Sequence, residues 1–362
     1  MVEIYLISTL AANPATLGLI EGIAESVAAL FKLFSGLWAD RVPYRKPIIV
    51  FGYGLSSLAR PLIGLTGSWG QVLGLRFLDR VGKGFRTPPR DALVADVTPV
   101  NLRGQAYGFH RAMDHWGAVT GPLIATALML SLGLKAQSVF LWAAVPAFFA
   151  LVILVFFLDE RRAADQVKET TPAINLRREW AQFPRPLKSL LLAVFVFYLG
   201  QSSDMFLLLR LKDQGIGVAY LPALWALLHV VKATSSQYLG FISDRMGHQK
   251  LIVFGWFYYA LIYFGFAFVE LASAQVGLFL LYGVYFGLVE APEKALISLV
   301  APAEAKGGAF GFYHLAVGIS SLPASLLFGW VWTEFGATAA FCGGATISLL
   351  ALLLLPSVLS RK

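Results

Sequence analysis

An all-α membrane protein with many spans, folded as two repeated helix bundles, is what this sequence predicts, on three observations. Of its 362 residues 57% are hydrophobic and only 14% charged, with a mean hydropathy of +0.69; a soluble chain carries roughly 25% charge. The apolar residues run in stretches of about 20, the length with which a helix crosses roughly 30 Å of hydrocarbon, rather than in the ten-residue alternation of a membrane barrel. Finally, the first half of the chain reappears in the second at a fixed offset.

Apolar windows place eleven spans, near 17–36, 47–66, 70–90, 105–130, 137–158, 188–209, 218–241, 250–270, 273–297, 307–332 and 337–356. Breakers stand at the joints: Gly67-Ser68 before the third span, Thr98-Pro99 after it, Ala301-Pro302 before the tenth and Phe335-Gly336 before the last. Most joints are short. Between Asp159 and Lys188, however, 12 of the 50 acidic and basic side chains crowd together with Pro172, Pro184 and Pro186. That stretch reads as a solvated linker with a short interfacial helix at Asn175–Phe183.

Orientation follows from the basic residues. Taking alternate loops as one side, sixteen Lys and Arg fall there, against Lys135, Arg210 and Lys212 on the other. The excess marks the cytoplasmic face, so the linker and C-terminus are expected inside, the N-terminus outside, and the chain in the plasma membrane. The same bias explains the net charge of +8 without invoking nucleic acid. Cys342 is the sole cysteine, which excludes a disulfide framework, and no metal or cofactor is expected.

The repeat gives the architecture. Gly36-Leu37-Trp38-Ala39-Asp40-Arg41 returns as Gly240-Phe241-Ile242-Ser243-Asp244-Arg245, 204 residues later. Pro89–Phe109 returns as Pro292–Phe312 at offset 203, with nine identities in 21 positions. Two passages at nearly one offset imply duplicated bundles about a midplane site. Residues 1–158 are read as the first bundle, 159–187 as the linker and 188–362 as the second bundle. Subtracting 204 from the span at 188–209 puts its counterpart mostly before Met1, so eleven of twelve helices are expected, with Ile4-Tyr5-Leu6-Ile7 a remnant of the first.

Gly36 through Asp40, Arg41, Arg45 and Lys46 resembles the loop signature between helices 2 and 3 of the major facilitator superfamily, and Gly240 through Asp244, Arg245 and Lys250 resembles it again between helices 8 and 9. Pro43 stands where the family usually has glycine; Gly247 keeps it in the second copy. Gly117-Ala118-Val119-Thr120-Gly121-Pro122 is similar to the fifth-helix motif of antiporters. The resemblance covers essentially the whole chain and implies a transporter that works by alternating access.

The residues themselves allow two readings of the signature. An aspartate near a helix N-terminus is favoured by about 0.3–1 kcal/mol, which suits a latch weak enough to open; a plain positive-inside anchor fits the same loop. Gly117 and Gly121 are spaced for close helix contact and Pro122 for a kink, with packing or hinge roles both open.

Ionisable residues inside spans are expensive, about 2.5–3.5 kcal/mol each on insertion scales, and each is a site hypothesis. Glu21, Glu25 and Lys32 fall within about 40° of one helical face. Arg76, Asp79, Arg80 and Lys83 share one span, and His110, Arg111, Asp114 and His115 the next. At the repeat offset these become Trp225, His229, Ser236, Phe279, Tyr282, Gly283 and Phe286, then His314 and Val317 for Arg111 and Asp114. The fold does not require the charges, so a task in the first half explains them. A closed network of ion pairs, such as Arg111 with Glu25 and Arg80 with Asp114, is the plainer alternative. In the second half Asp204, after Gln201-Ser202-Ser203, makes a polar break halfway along an otherwise apolar helix and is expected to line a cavity. Glu290 is the other buried candidate, with Lys232, Glu293 and Lys294 nearer the cytoplasmic ends. A metal site at His110 and Asp114 is disfavoured by the adjacent Arg111.

Nothing supports enzymatic chemistry: there is no HExxH, phosphate loop or nucleophile elbow. The expected function is secondary active transport of a small solute as a monomer in the lipid bilayer, by proton-coupled export. Glu21, Glu25, Asp114, Asp204 and Glu290 are the candidate proton or substrate carriers, with Arg80 and Arg111 setting their ionisation. Uptake of a small, anionic solute is the alternative, as is a truncated, receptor-like product.

Overall fold

A computed structural model describes residues 28–160 and 174–355. Glu21, Glu25, the stretch at residues 4–7 and the middle of the linker lie outside the described residues.

Apolar runs punctuated by Gly and Pro become helices, and the regular structure of the described residues is all helical. In order they are α1 (Ala28–Ala39), α2 (Lys46–Leu62), α3 (Trp69–Val97), α4 (Arg103–Leu132), α5 (Ala136–Trp142) and α6 (Ala144–Phe157). The linker helix α7 (Leu176–Gln182) follows, then α8 (Arg185–Gly200), α9 (Asp204–Asp213), α10 (Leu221–Met246), α11 (His248–Phe268), α12 (Ala272–Val300) and α13 (Lys306–Leu352). Eight helical stretches among the described residues are long and apolar enough to cross a membrane. At 29 residues α3 is also long enough, about 43 Å at 1.5 Å per residue, but it carries the charges noted above.

Local chemistry sets the breaks. At Gly336 φ is +86°, a region only glycine enters without strain, and two spans meet there inside α13. Between α8 and α9 the chain leaves the helix at Gln201, Ser202 and Ser203, and the Ser203 side chain accepts from the Met205 N–H at 3.4 Å. Irregular backbone at membrane depth survives only where its polar groups find protein partners. Here the Ser202 and Tyr263 hydroxyls lie 3.0 Å apart, and Tyr259 donates to the Gly200 carbonyl at 3.4 Å.

The chain divides into two compact units, each drawing on both repeats. The first takes its described residues from Met1–Val97, Thr120–Glu179 and Pro302–Gly318, the second from Thr98–Val119, Trp180–Ala301 and Ile319–Lys362. In lipid there is no hydrophobic gain from helix pairing, so close packing of small residues must supply it. In the first unit a Cβ on Gly52 of α2 would lie 2.6 Å from the Gly82 carbonyl of α3, and Ser35 of α1 donates to the Gly84 carbonyl at 2.7 Å. The second unit is filled by aromatics: Phe197 stacks on Trp256 at 4.5 Å, beside the fully buried Tyr259, Tyr263, Tyr282 and Tyr285.

Candidate functional site

Both copies of the loop signature end on a carboxylate that caps a helix of the other repeat. In the first unit Asp40, just past α1, accepts from the Gly307 N–H at 2.8 Å and the Gly308 N–H at 2.6 Å, at the start of α13. In the second, Asp244 of α10 accepts from Gly104 and Gln105, both at 2.8 Å, at the start of α4. Each carboxylate answers two of the orphan N–H groups that every helix start exposes, and its charge faces the positive end of the helix dipole. Glycines let the backbones come this close. A Cβ on Gly36 would lie 3.0 Å from the Gly311 Cα, and one on Gly240 2.6 Å from the Gly104 carbonyl.

The two caps differ in their surroundings. Arg45, fully buried, lies 3.4 Å from Asp40 and pairs with Asp96, whose other oxygen takes Lys306 at 2.6 Å. The Glu160 carboxylate accepts from the Arg45 and Lys46 N–H groups at 2.8 and 2.7 Å, capping α2. Arg41 pairs with Glu179 of α7 at 2.6 Å, so both ends of the linker are tied to the first signature. Around Asp244 the neighbours are His248 at 3.7 Å and Arg103, which donates to the Ser298 carbonyl at 2.9 Å. Arg245 instead stacks on Phe241 at 4.2 Å.

Asn at position 40 or 244 keeps the size and removes the charge. The expected effect is a loss of about 1–2 kcal/mol from the cap, read as weaker disulfide trapping between cysteines placed beside residues 40 and 308, or 244 and 105, with melting unchanged. Equal trapping in both variants would leave the loops as anchors only.

Within the long apolar helices of the second unit, Glu290 and Asp204 are each ion-paired. Glu290 of α12 accepts from Arg111 of α4 through Nε at 2.6 Å and also through Nη2, with His115 3.6 Å away. Arg111 also reaches Asp114 at 3.3 Å, and His110 lies 3.7 Å from Asp114. Asp204, at the start of α9, takes the Lys232 ammonium at 2.8 Å and the Tyr282 hydroxyl at 2.7 Å. Lys232 thus belongs to the Asp204 site rather than with the end-of-helix lysines. In the first unit Asp79 pairs with Arg60 at 2.9 Å and Lys83 at 3.6 Å, Asp91 with His314 at 2.9 Å, and Arg80 stands on α3 next to Asp79.

Close helix contact at Gly117 and Gly121 is not what the described residues show. A Cβ at either position meets no atom within 4 Å, and Pro122 lies inside a continuous α4. The close approach falls at Gly104 and Gly108 instead, because α4 meets α10 near its own start. The partners that sequence reasoning missed are Asp96, Glu160, Glu179 and Tyr282. Only the linker's charge density hinted at the two glutamates.

Comparison with known proteins agrees with this geometry. The family model described as Major Facilitator Superfamily matches residues 1–322. The chain is 31% identical over 356 residues to the uncharacterized MFS-type transporter MJ1317 of Methanocaldococcus jannaschii, spanning 97% of this chain and 87% of that one. It is 25% identical over 329 residues to the multi-drug resistance efflux pump PmrA of Streptococcus pneumoniae, spanning 90% and 81%. Among solved structures it resembles the human organic anion transporter MFSD10 with a TM-score of 0.81 at 17% identity, over 93% of this chain and 83% of that one. With a repeat, a pair of exchanged caps and a fold shared along nearly its whole length, the chain belongs to the Major Facilitator Superfamily, whose members are not enzymes but secondary transporters that carry small solutes across the lipid bilayer.

Proposed function

We propose that the protein exports a small organic solute from the cytoplasm by proton-coupled alternating access. The observation that carries this reading is the pair of intramembrane carboxylates, Asp204 and Glu290, each held by a cation from another helix. A proton taken up by either carboxylate cancels the charge that its lysine or arginine is bound to, so protonation and helix contact are linked. The exchanged caps at Asp40 and Asp244 supply the latch, placed by the basic bias on the cytoplasmic side, and the likeness to an efflux pump supports the direction.

The test is reconstitution in liposomes under an imposed pH gradient, with a solute found by screening. Asp204→Asn, Glu290→Gln and Asp114→Asn are each expected to lower gradient-driven flux at least about tenfold, the latter two while sparing solute binding. Normal flux in all three would make the charges structural and remove proton coupling from the reading.

A further inference from the structure

The Lys232 ammonium is held as an aromatic receptor holds a free cation. Its Nζ lies 3.6 Å from the Phe286 ring centroid, 5.7 Å from Trp225 and 5.8 Å from Tyr282, and 2.8 Å from Asp204 Oδ2. Ring faces and a carboxylate are the set that recognises ammonium groups. Ring faces are electron-rich and repel anions. Accessibility points the same way: Lys232 is 3% exposed, out of reach of an anion, whereas the Asp204 side chain is 21% exposed and Trp225 and Phe286 are half-buried. A solute therefore meets the carboxylate and the ring faces before it meets the lysine.

The aromatic wall continues beyond this point. The His229 ring lies 5.3 Å from Trp225 and 5.4 Å from His115, and His115 ends the wall beside Glu290. His229 Nδ1 is buried and has no hydrogen-bond partner among the described residues, and the same holds for His115 Nε2, leaving ring nitrogens as polar atoms for a ligand along this aromatic surface.

We propose that this wall is the solute site and that the solute is an organic monocation, an aromatic amine or quaternary ammonium. Its charged head replaces the Lys232 ammonium at Asp204, and its ring lies along Trp225 and His229. The inference rests on the transport reading and names the substrate class. Lys232 is a tethered competitor: it keeps Asp204 from standing as a lone buried charge when the site is empty, and gives way when a solute enters.

The test measures equilibrium binding to the full chain in nanodiscs, without a gradient, using benzyltrimethylammonium, its uncharged isostere neopentylbenzene, and benzoate. Wild type is expected to bind the cation and neither of the others. Lys232→Met, which removes the competitor and leaves the carboxylate, should bind the cation about tenfold tighter or more. Phe286→Leu should bind it about three- to thirtyfold more weakly with unchanged melting. Absent or unaltered cation binding in Lys232→Met overturns the proposal, as does benzoate binding that this variant loses. If Lys232→Met fails to fold, Phe286→Leu decides: unchanged affinity overturns the proposal. Cation binding without pH-driven flux sinks proton coupling alone, and flux without cation binding sinks only the substrate class.

Discussion

Arg111→Ala is expected to destabilise the protein by about 3–5 kcal/mol, the usual consequence of removing one partner from a buried ion pair. Glu290 takes two bonds from Arg111, and the His115 ring nitrogen lies 3.6 Å away. Without the guanidinium a carboxylate that is 16% exposed stands at membrane depth with its charge uncompensated. The measurement is denaturant unfolding in mixed micelles. The double variant Arg111→Met with Glu290→Leu should recover most of the loss, since replacing a whole buried pair by apolar groups of similar volume is often neutral. A single variant as stable as wild type would show that the pair is solvated and adds nothing.

Gly240→Leu should have the second-largest effect. The new Cβ would lie 2.6 Å from the Gly104 carbonyl oxygen and 2.8 Å from the Gly108 Cα, backbone atoms that cannot swing aside. Overpacking of this kind costs about 1–3 kcal/mol, which corresponds to a shift of about 5–150-fold in the contact equilibrium. Spin labels at the ends of α4 and α10 should report a lengthened distance. Gly117→Leu is the control, because a Cβ there meets nothing among the described residues within 4 Å and its distance distribution should match wild type. Equal behaviour of the two variants would remove the close approach from the account.

How much of this was legible beforehand depends on which part of the structure carried the information. Composition and span length gave the helices, because a bilayer imposes one length and demands internal backbone pairing. The offset gave Asp40 and Asp244 together, and the dipole argument already pointed a carboxylate at a helix start. The polar run ahead of Asp204 stood out inside a span read as continuous over 188–209, and the helix breaks there. Partners were another matter. Arg111 and Glu290 lie 179 residues apart, and helical periodicity says which face a side chain occupies but not which helix lies opposite. For the same reason Lys232, judged by its distance from a helix end, was separated from Asp204, which it touches. Gly117 and Gly121 illustrate the same limit: small-residue spacing marks a surface able to pack closely, while among the described residues the close approach on this helix falls at Gly104 and Gly108.

The exchanged caps have the form of an isologous contact, in which residue i of one copy meets residue j of the other and the reverse holds as well. Asp40 meets Gly307, and Asp244 meets Gly104; position 307 is the repeat image of 104, and 244 that of 40. A homodimer of a half-length chain would make both contacts from a single surface written once. Fusion into one polypeptide lifts that constraint, because each copy of the surface can then change alone. At the repeat offset, Arg45, Asp96 and Lys306 around the first cap correspond to Gln249, Leu299 and Arg103 in the second copy. The first contact is surrounded by buried ion pairs, while its twin has His248 and Arg103 beside it, so the two contacts can be tuned separately.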